Sequence, residues 1–463
     1  MLSRRKLLQH VANGSSLMLM PRLVLASTEP DQYELIAELT KHRFKAESKG
    51  LSALWLYNGS SPGPMLTATK GDEVVVKFTN RLEQPTTIHW HGVRNINEMD
   101  GIPNVTQAAV EPGESFTYRF PVRDAGTFWY HAHNKAWEQV ARGLYGALIV
   151  KEKQNVSRER DVVLIADDWR LNKDYALDEE SFGNLHDWSH GGRLGNWLTI
   201  NGHSEPQIFI PNSGQVRLRF INAANARKLA FQLANGQQVK VISLDGAPCE
   251  PFNLDTIKLG PAQRMDVLVD ITENLDILNE VSTGKKFTAA RFLFLPDSNV
   301  GVSSVTLHDA KPWYPMPKLE NAKIVKIHMQ GGAMGNLTTA QFQGEVRSLR
   351  DLAVKNSKVW AFNGRIGGYD LEIAKLSIGE TSILRIWNDT NWDHAMHLHG
   401  HHFWVESKEF GDSPKRVLRD TYVMAPGERA DLVFIADNPG LWLFHCHMLE
   451  HHAAGMGGVI SVT

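Results

Sequence analysis

Thiols are nearly missing from this chain: among 463 residues there are two cysteines, Cys249 and Cys446. A disulfide-stapled fold is excluded, and a cysteine standing beside histidines is read first as a metal or catalytic group. No segment after the N-terminus stays apolar for the ~20 residues a membrane span requires, so none is expected. Neither charge dominates, since Lys+Arg 49 stand against Asp+Glu 51 for a net charge of -2. No basic run follows the N-terminus, which disfavours a nucleic-acid partner. Methionine is dispersed, 13 in all, and little of the chain carries a helical pattern.

What is abundant is length and histidine, 463 residues with 20 His. At ~150 residues per domain the chain suggests about three domains. The first residues read as an address: Arg4-Arg5 sits in Met1–Leu8, a modestly apolar stretch follows, and Val24-Leu25-Ala26 offers small residues for cleavage before Ser27. Residues 1–27 are therefore expected to be a twin-arginine signal peptide, the export machinery its partner and the periplasm its destination.

Three stretches repeat one strand grammar, Gly71–Asn80, Gly214–Asn222 and Gly379–Asn388. Each opens on a turn glycine, alternates polar and apolar residues and closes on Asn, as a half-buried strand does. Upstream of each lies Asn-Gly, at Asn58-Gly59, Asn201-Gly202 and Asn363-Gly364, with offsets of 143 and 162 against 143 and 165 for the strands. Chance does not keep such a register. The expectation is an all-β chain of three tandem domains, 28–155, 156–315 and 316–463, built as antiparallel sandwiches or barrels. The stretch 311–317 is the second linker, and Asp167–Leu198, rich in charge, Gly and Trp, reads as an irregular excursion.

A second echo joins the first and third repeats. Gly126–His133 lies over Gly440–His447, and His89-Trp90-His91-Gly92 over His397-Leu398-His399-Gly400. In a strand residues i and i+2 face one side, so each of the pairs 89/91, 131/133, 397/399 and 445/447 presents two imidazoles to one space. The middle repeat has no such pair and reads as a spacer. Cys446 sits between His445 and His447, so its side chain points away from theirs. There His451 and Met456 follow, and His394 precedes the 397/399 pair. Two His, a thiolate and an axial Met select blue copper. The peptide between Cys446 and its neighbours would join the two sites over on the order of 10 Å. Ala132 replaces Cys446 in the first repeat and Trp137 replaces His451, so one blue site and one three-copper cluster, four coppers in all, is the stoichiometry the residues permit.

These motifs resemble the four signatures of three-domain multicopper oxidases, the laccases and bacterial cuprous oxidases, across the whole mature chain. The resemblance implies cupredoxin-like Greek-key barrels. It implies a type 2 copper on His89 and His397, and type 3 coppers on His91, His131, His447 and on His133, His399, His445. It assigns the type 1 copper to His394, Cys446, His451 and Met456. Asp100 resembles the family's acidic residue that helps protonate reduced oxygen, although an Asp before Gly is also an ordinary turn. The chain has His452 where cuprous oxidases often have Glu, and Ala395 where relatives have Pro. Asp393 reads equally as a ligand-orienting or substrate-contacting group or a solvated loop carboxylate. Met329 and Met334 could meet Cu(I) or simply fill core.

The implied activity is oxidation of a small reducing substrate coupled to reduction of O2. Without a Met-rich insertion, which would bind Cu(I) through soft thioethers, a laccase-like oxidase of phenols or aromatic amines is favoured over a cuprous oxidase. A copper nitrite reductase would not need four His-x-His pairs. A copper-free cell-division scaffold would have lost ligands, and a copper carrier would keep its sites open.

Overall fold

The computed structural model describes residues 31–45, 48–152, 160–210, 213–294, 311–407 and 416–463. The expected signal peptide, residues 1–27, lies outside them. Six sheets are built from the described residues. Two four-stranded sheets come from the first repeat, a six- and a five-stranded sheet from the second, and a nine- and a five-stranded sheet from the third. No helix among the described residues is long and apolar enough to cross a membrane.

The repeated strand occupies the same place three times. Glu73–Asn80, Gly214–Asn222 and Thr381–Asn388 each lie parallel to the first strand of their repeat, Asp31–His42, Asp161–Trp169 and Lys323–Gly331. On its other side each runs antiparallel to Ser115–Pro121, Arg264–Ile271 or Arg429–Ile435. The sheets are thus mixed rather than purely antiparallel. The chain visits the opposite sheet between the paired strands, and such a crossover can return it in the original direction.

Both Asn signals have a mechanical cause. In each Asn-Gly pair both residues have positive φ, as a type I′ turn demands. The Asn amides then tie that turn to the first strand: Asn58 to Ile36 and Glu34, Asn201 to Ile165 and Val163, Asn363 to His328 and Lys326, all at 2.6–3.0 Å. The Asn closing each repeated strand accepts from the backbone two residues on, at Leu82, Ala224 and Thr390, and donates to carbonyls of the following loop.

The expected excursion begins later than its composition suggests. Asp167 and Asp168 end the strand Asp161–Trp169, and only beyond it come a 3-10 turn at Glu179–Ser181 and a helix at Leu185–Ser189, before the strand Trp197–Ile200. The two carboxylates look loop-like in sequence, yet both are buried and partnered: Tyr145 donates to Asp167 at 2.8 Å and Arg227 to Asp168 at 2.6 Å. Burial, reinforced by Asp168, pushes Asp167 up to about 8.

One apolar core runs through the second and third repeats and reaches Cys446 and Met456, while the first closes its own around Trp90 and Tyr130. Within 311–317, Trp313 stacks on Phe128 of the first repeat and meets His402 of the third edge-on. The linker thus touches both histidine-bearing repeats.

Candidate metal centre

His89 lies directly opposite His131 across the pair Ile88–His91 and Gly126–Ala132, and His397 opposite His445 across His394–Leu398 and Gly440–Cys446. The outer repeats therefore offer equivalent imidazole pairs, and the two sets interleave. The His89 ring stacks on His399 at 3.9 Å and the His91 ring on His397 at 3.8 Å. All eight are buried. Their nitrogens converge in the groups His89/His91/His397, His91/His131/His447 and His133/His399/His445, each within 4.8 Å.

Outer hydrogen bonds decide which nitrogen faces inward. Nδ1 donates to the Asp100 carbonyl from His89, to Ala132 from His131, to Asp420 from His397 and to Cys446 from His445, at 2.9–3.0 Å. Nδ1 of His399 reaches the Asp100 carboxylate at 2.8 Å. Each of these rings is left with a bare Nε2. The bare Nε2 atoms of His399 and His445 face one another at 3.1 Å, where no hydrogen bond can form between them. Nε2 of His89, His133 and His397 has no protein partner at all. His91 is turned the other way, with Nε2 3.2 Å from Asp420 and Thr421 and Nδ1 unpartnered. Burial first, then mutual repulsion, holds the rings of His91, His131, His133, His399, His445 and His447 well below the ordinary imidazole range, with His397 at about 3. Neutral, buried lone pairs that converge in this way fit a cation, and imidazole suits copper.

On the other side of the same strand, Sγ of Cys446 lies 3.7 Å from Nδ1 of His394 and 3.8 Å from Nδ1 of His451. Those two nitrogens are 3.0 Å apart. The far nitrogen of His394 meets the Thr390 hydroxyl at 2.8 Å, and that of His451 donates to the His190 carbonyl at 2.6 Å. Burial pushes the Cys446 thiol up to about 12. A bound cation is what makes such a thiol a thiolate. Met456 is fully buried in the same core, and its carbonyl accepts from Cys446 N at 3.0 Å.

Two carboxylates flank the cluster. Asp100 closes the 3-10 turn Asn97–Met99, the turn reading of its sequence, and its buried carboxylate reaches His399. Gly101 has φ +80, and a Cβ there would overlap the Ile88 carbonyl, so only glycine lets this turn lie against the His89 strand. Asp420, missed in the sequence, touches His91 and is paired with buried Arg264 of the middle repeat. Burial opposes its ionisation, but Arg264 and His91 hold it well below the usual carboxylate range.

His452 packs its ring 4.4 Å from His445 and lines a cavity of about 230 Å³ with Tyr369, Lys135 and Lys358. The Tyr369 hydroxyl lies 3.4 Å from Nδ1 of His133 and donates to its carbonyl at 3.2 Å. Asp393 pairs with Lys228 at the surface rather than orienting an imidazole. Met329 is core, whereas Met334 is exposed.

Family profiles described as multicopper oxidase match residues 38–155, 160–282 and 339–463. The multicopper oxidase MmcO of Mycobacterium tuberculosis is 31% identical over 86% of this chain and 81% of its own length. The chain belongs to the multicopper oxidase family. Laccase-1 of Botryotinia fuckeliana is 27% identical over 86% of this chain and 77% of its own. The crystal structure of a multicopper oxidase from Pseudomonas thermotolerans superposes with a TM-score of 0.78 at 29% identity, covering 94% of this chain and 100% of that one. The fold is accordingly that of three cupredoxin-like domains. This oxidase is an oxygen-using oxidoreductase that binds copper and takes electrons from a reducing substrate.

Proposed function

We propose a laccase-like oxidase with four coppers, held as the motifs imply: type 1 on His394, Cys446, His451 and Met456, type 2 on His89 and His397, and a type 3 pair on His91, His131, His447 and His133, His399, His445. The observation that carries this reading is Cys446, whose sulfur joins His394 and His451 while its two chain neighbours belong to the imidazole cluster. Bound copper would supply one-electron acceptance at the first site and four-electron reduction of O2 to water at the second. The chain supplies everything around that chemistry. Peptide bonds from Cys446 to His445 and His447 offer the electron path. Burial excludes bulk water, and Asp100, against His399, is placed to hold a proton beside the cluster.

The surroundings of His451 favour an aromatic donor. Its outer nitrogen is covered by the His190 carbonyl, and the His190 ring packs edge-on against Trp392 at 5.1 Å. Rings of this kind recognise other rings, whereas Cu(I) prefers thioethers. Met334, beside Trp392, is one exposed thioether, and Met329 is buried in the core. The domain bounds 28–155, 156–315 and 316–463, the twin-arginine route and the periplasm complete the proposal on the sequence features above.

Oxygen uptake by the copper-loaded protein tests the donor class, with a dimethoxyphenol in one cell and Cu(I) in another. Rapid uptake with the phenol is expected, and a Cys446→Ser control should abolish it. Uptake with Cu(I) alone would make the protein a copper-detoxifying oxidase instead.

A further inference from the structure

We infer that Arg264, on the middle repeat that carries no copper ligand, is a positioning residue for the type 2 and type 3 edge of the cluster, acting through Asp420 on His91 and His397. The inference rests on the ligand assignment proposed above and extends it to a repeat that would otherwise be only a spacer.

Arg264 begins the strand Arg264–Ile271 and is fully buried. Its guanidinium ties all three repeats together. Nε donates to the Thr127 carbonyl of the first repeat at 3.1 Å. Nη2 donates to the Asp245 carbonyl of its own repeat at 2.9 Å and Nη1 to that of Ala262 at 3.3 Å. Both Nη atoms also hold the Asp420 carboxylate of the third, Nη1 at 2.7 Å from Oδ1. A planar fork on a carboxylate fixes the carboxylate plane as well as its charge.

Asp420 is thereby locked, and each of its ends meets a cluster imidazole. Its carbonyl accepts from Nδ1 of His397 at 2.9 Å, leaving Nε2 to face inward. Its Oδ1, which also accepts from the Thr421 hydroxyl at 2.8 Å, lies 3.2 Å from Nε2 of His91. That contact keeps the proton on Nε2 and turns the unpartnered Nδ1 of His91 to the cluster, opposite in sense to His89, His131, His397, His399 and His445. One aspartate thus chooses the ligating nitrogen for a type 2 and a type 3 histidine, and Arg264 holds that aspartate.

The chain next to His91 is shaped for this pair. Gly92 has φ +82, and a Cβ there would overlap both Arg264 Nη2 and Asp420 Oδ2. The glycine after the first His-x-His therefore leaves the room in which the ion pair sits.

The test uses the copper-loaded full-length protein in two variants, Arg264→Gln and the double variant Arg264→Gln with Asp420→Asn. The double variant leaves no unpaired buried charge and keeps a neutral hydrogen-bonding pair, so it folds where the single one could fail. Copper per chain, blue absorption and the type 2 EPR signal are measured beside wild type during dialysis against a chelator. The expected result is intact blue absorption with type 2 copper retained about 10- to 100-fold less tightly and its EPR signal altered, the size usual for an outer partner of a ligand. A folded variant with wild-type EPR and wild-type retention overturns the inference, as does joint loss of blue absorption and type 2 signal, which would mark general damage. Absence of a type 2 signal in wild type would instead sink the ligand assignment.

Discussion

Replacing Cys446 by Ser is expected to lower steady-state O2 consumption by about 1000-fold or more, a barrier increase of about 4 kcal/mol or more. The sulfur is the one atom that belongs to the His394/His451 site while its residue is bonded directly to His445 and His447. A serine hydroxyl fits the space but is neither a soft ligand nor an efficient electron relay. Blue absorption should vanish, whereas the type 2 EPR signal should remain, because His89, His397, His399 and His445 keep their own hydrogen bonds. Optical and EPR spectra of the same sample check both halves. Loss of both signals would mean that Cys446 holds the fold rather than one site.

Asp100→Asn is expected to slow turnover by about 100-fold, at the lower end of what a positioned acid or base contributes. Asparagine can still accept from Nδ1 of His399, which now meets Oδ2 at 2.8 Å, so the ring should keep its orientation. What is lost is a group able to hold a proton in a buried place. Anaerobic bleaching of the blue band by donor should therefore run at the wild-type rate, and only its return on admitting O2 should be slow. Stopped-flow absorption separates the two phases. A variant with wild-type reoxidation would leave Asp100 as a turn residue that orients His89 and His399.

The contrast between what was legible in the sequence and what was not follows chain separation. The His-x-His pairs are readable because strand geometry sends alternate residues to one face. The repeats are readable because Asn58, Asn201 and Asn363 do the same local job three times. The outer contacts are different. Arg264 meets Asp420 across 156 positions, Tyr369 meets His133 across 236, and His190 meets His451 across 261. No local pattern marks such residues, and they become visible only when the repeats pack. Gly92 was the nearest available signal, since a glycine directly after a ligand strand announces a close approach, though not by what. Composition misled at Asp167 and Asp168, where charge suggested a loop but Tyr145 from another strand and Arg227 from a loop satisfy the carboxylates buried in the sheet.

The middle repeat gains most from the structure. Beyond Arg264, Gln263 donates to the Thr421 carbonyl at 3.0 Å, and Asn225 donates both to Trp137 of the first repeat and to Glu450 of the third at 2.8 Å. Glu450 lies in the short helix Leu449–Ala453 that carries His451. The repeat without His-x-His pairs therefore bonds to both histidine-bearing repeats.

The most direct test of the account is the ratio of electrons delivered by a dimethoxyphenol to O2 consumed, with free peroxide assayed in the same cell. A sulfur-linked pair of sites predicts a ratio of four and no peroxide, since the cluster completes the reduction before release. A ratio of two with peroxide accumulating would contradict it, because O2 would then be leaving half reduced and the two sites would not be acting as one.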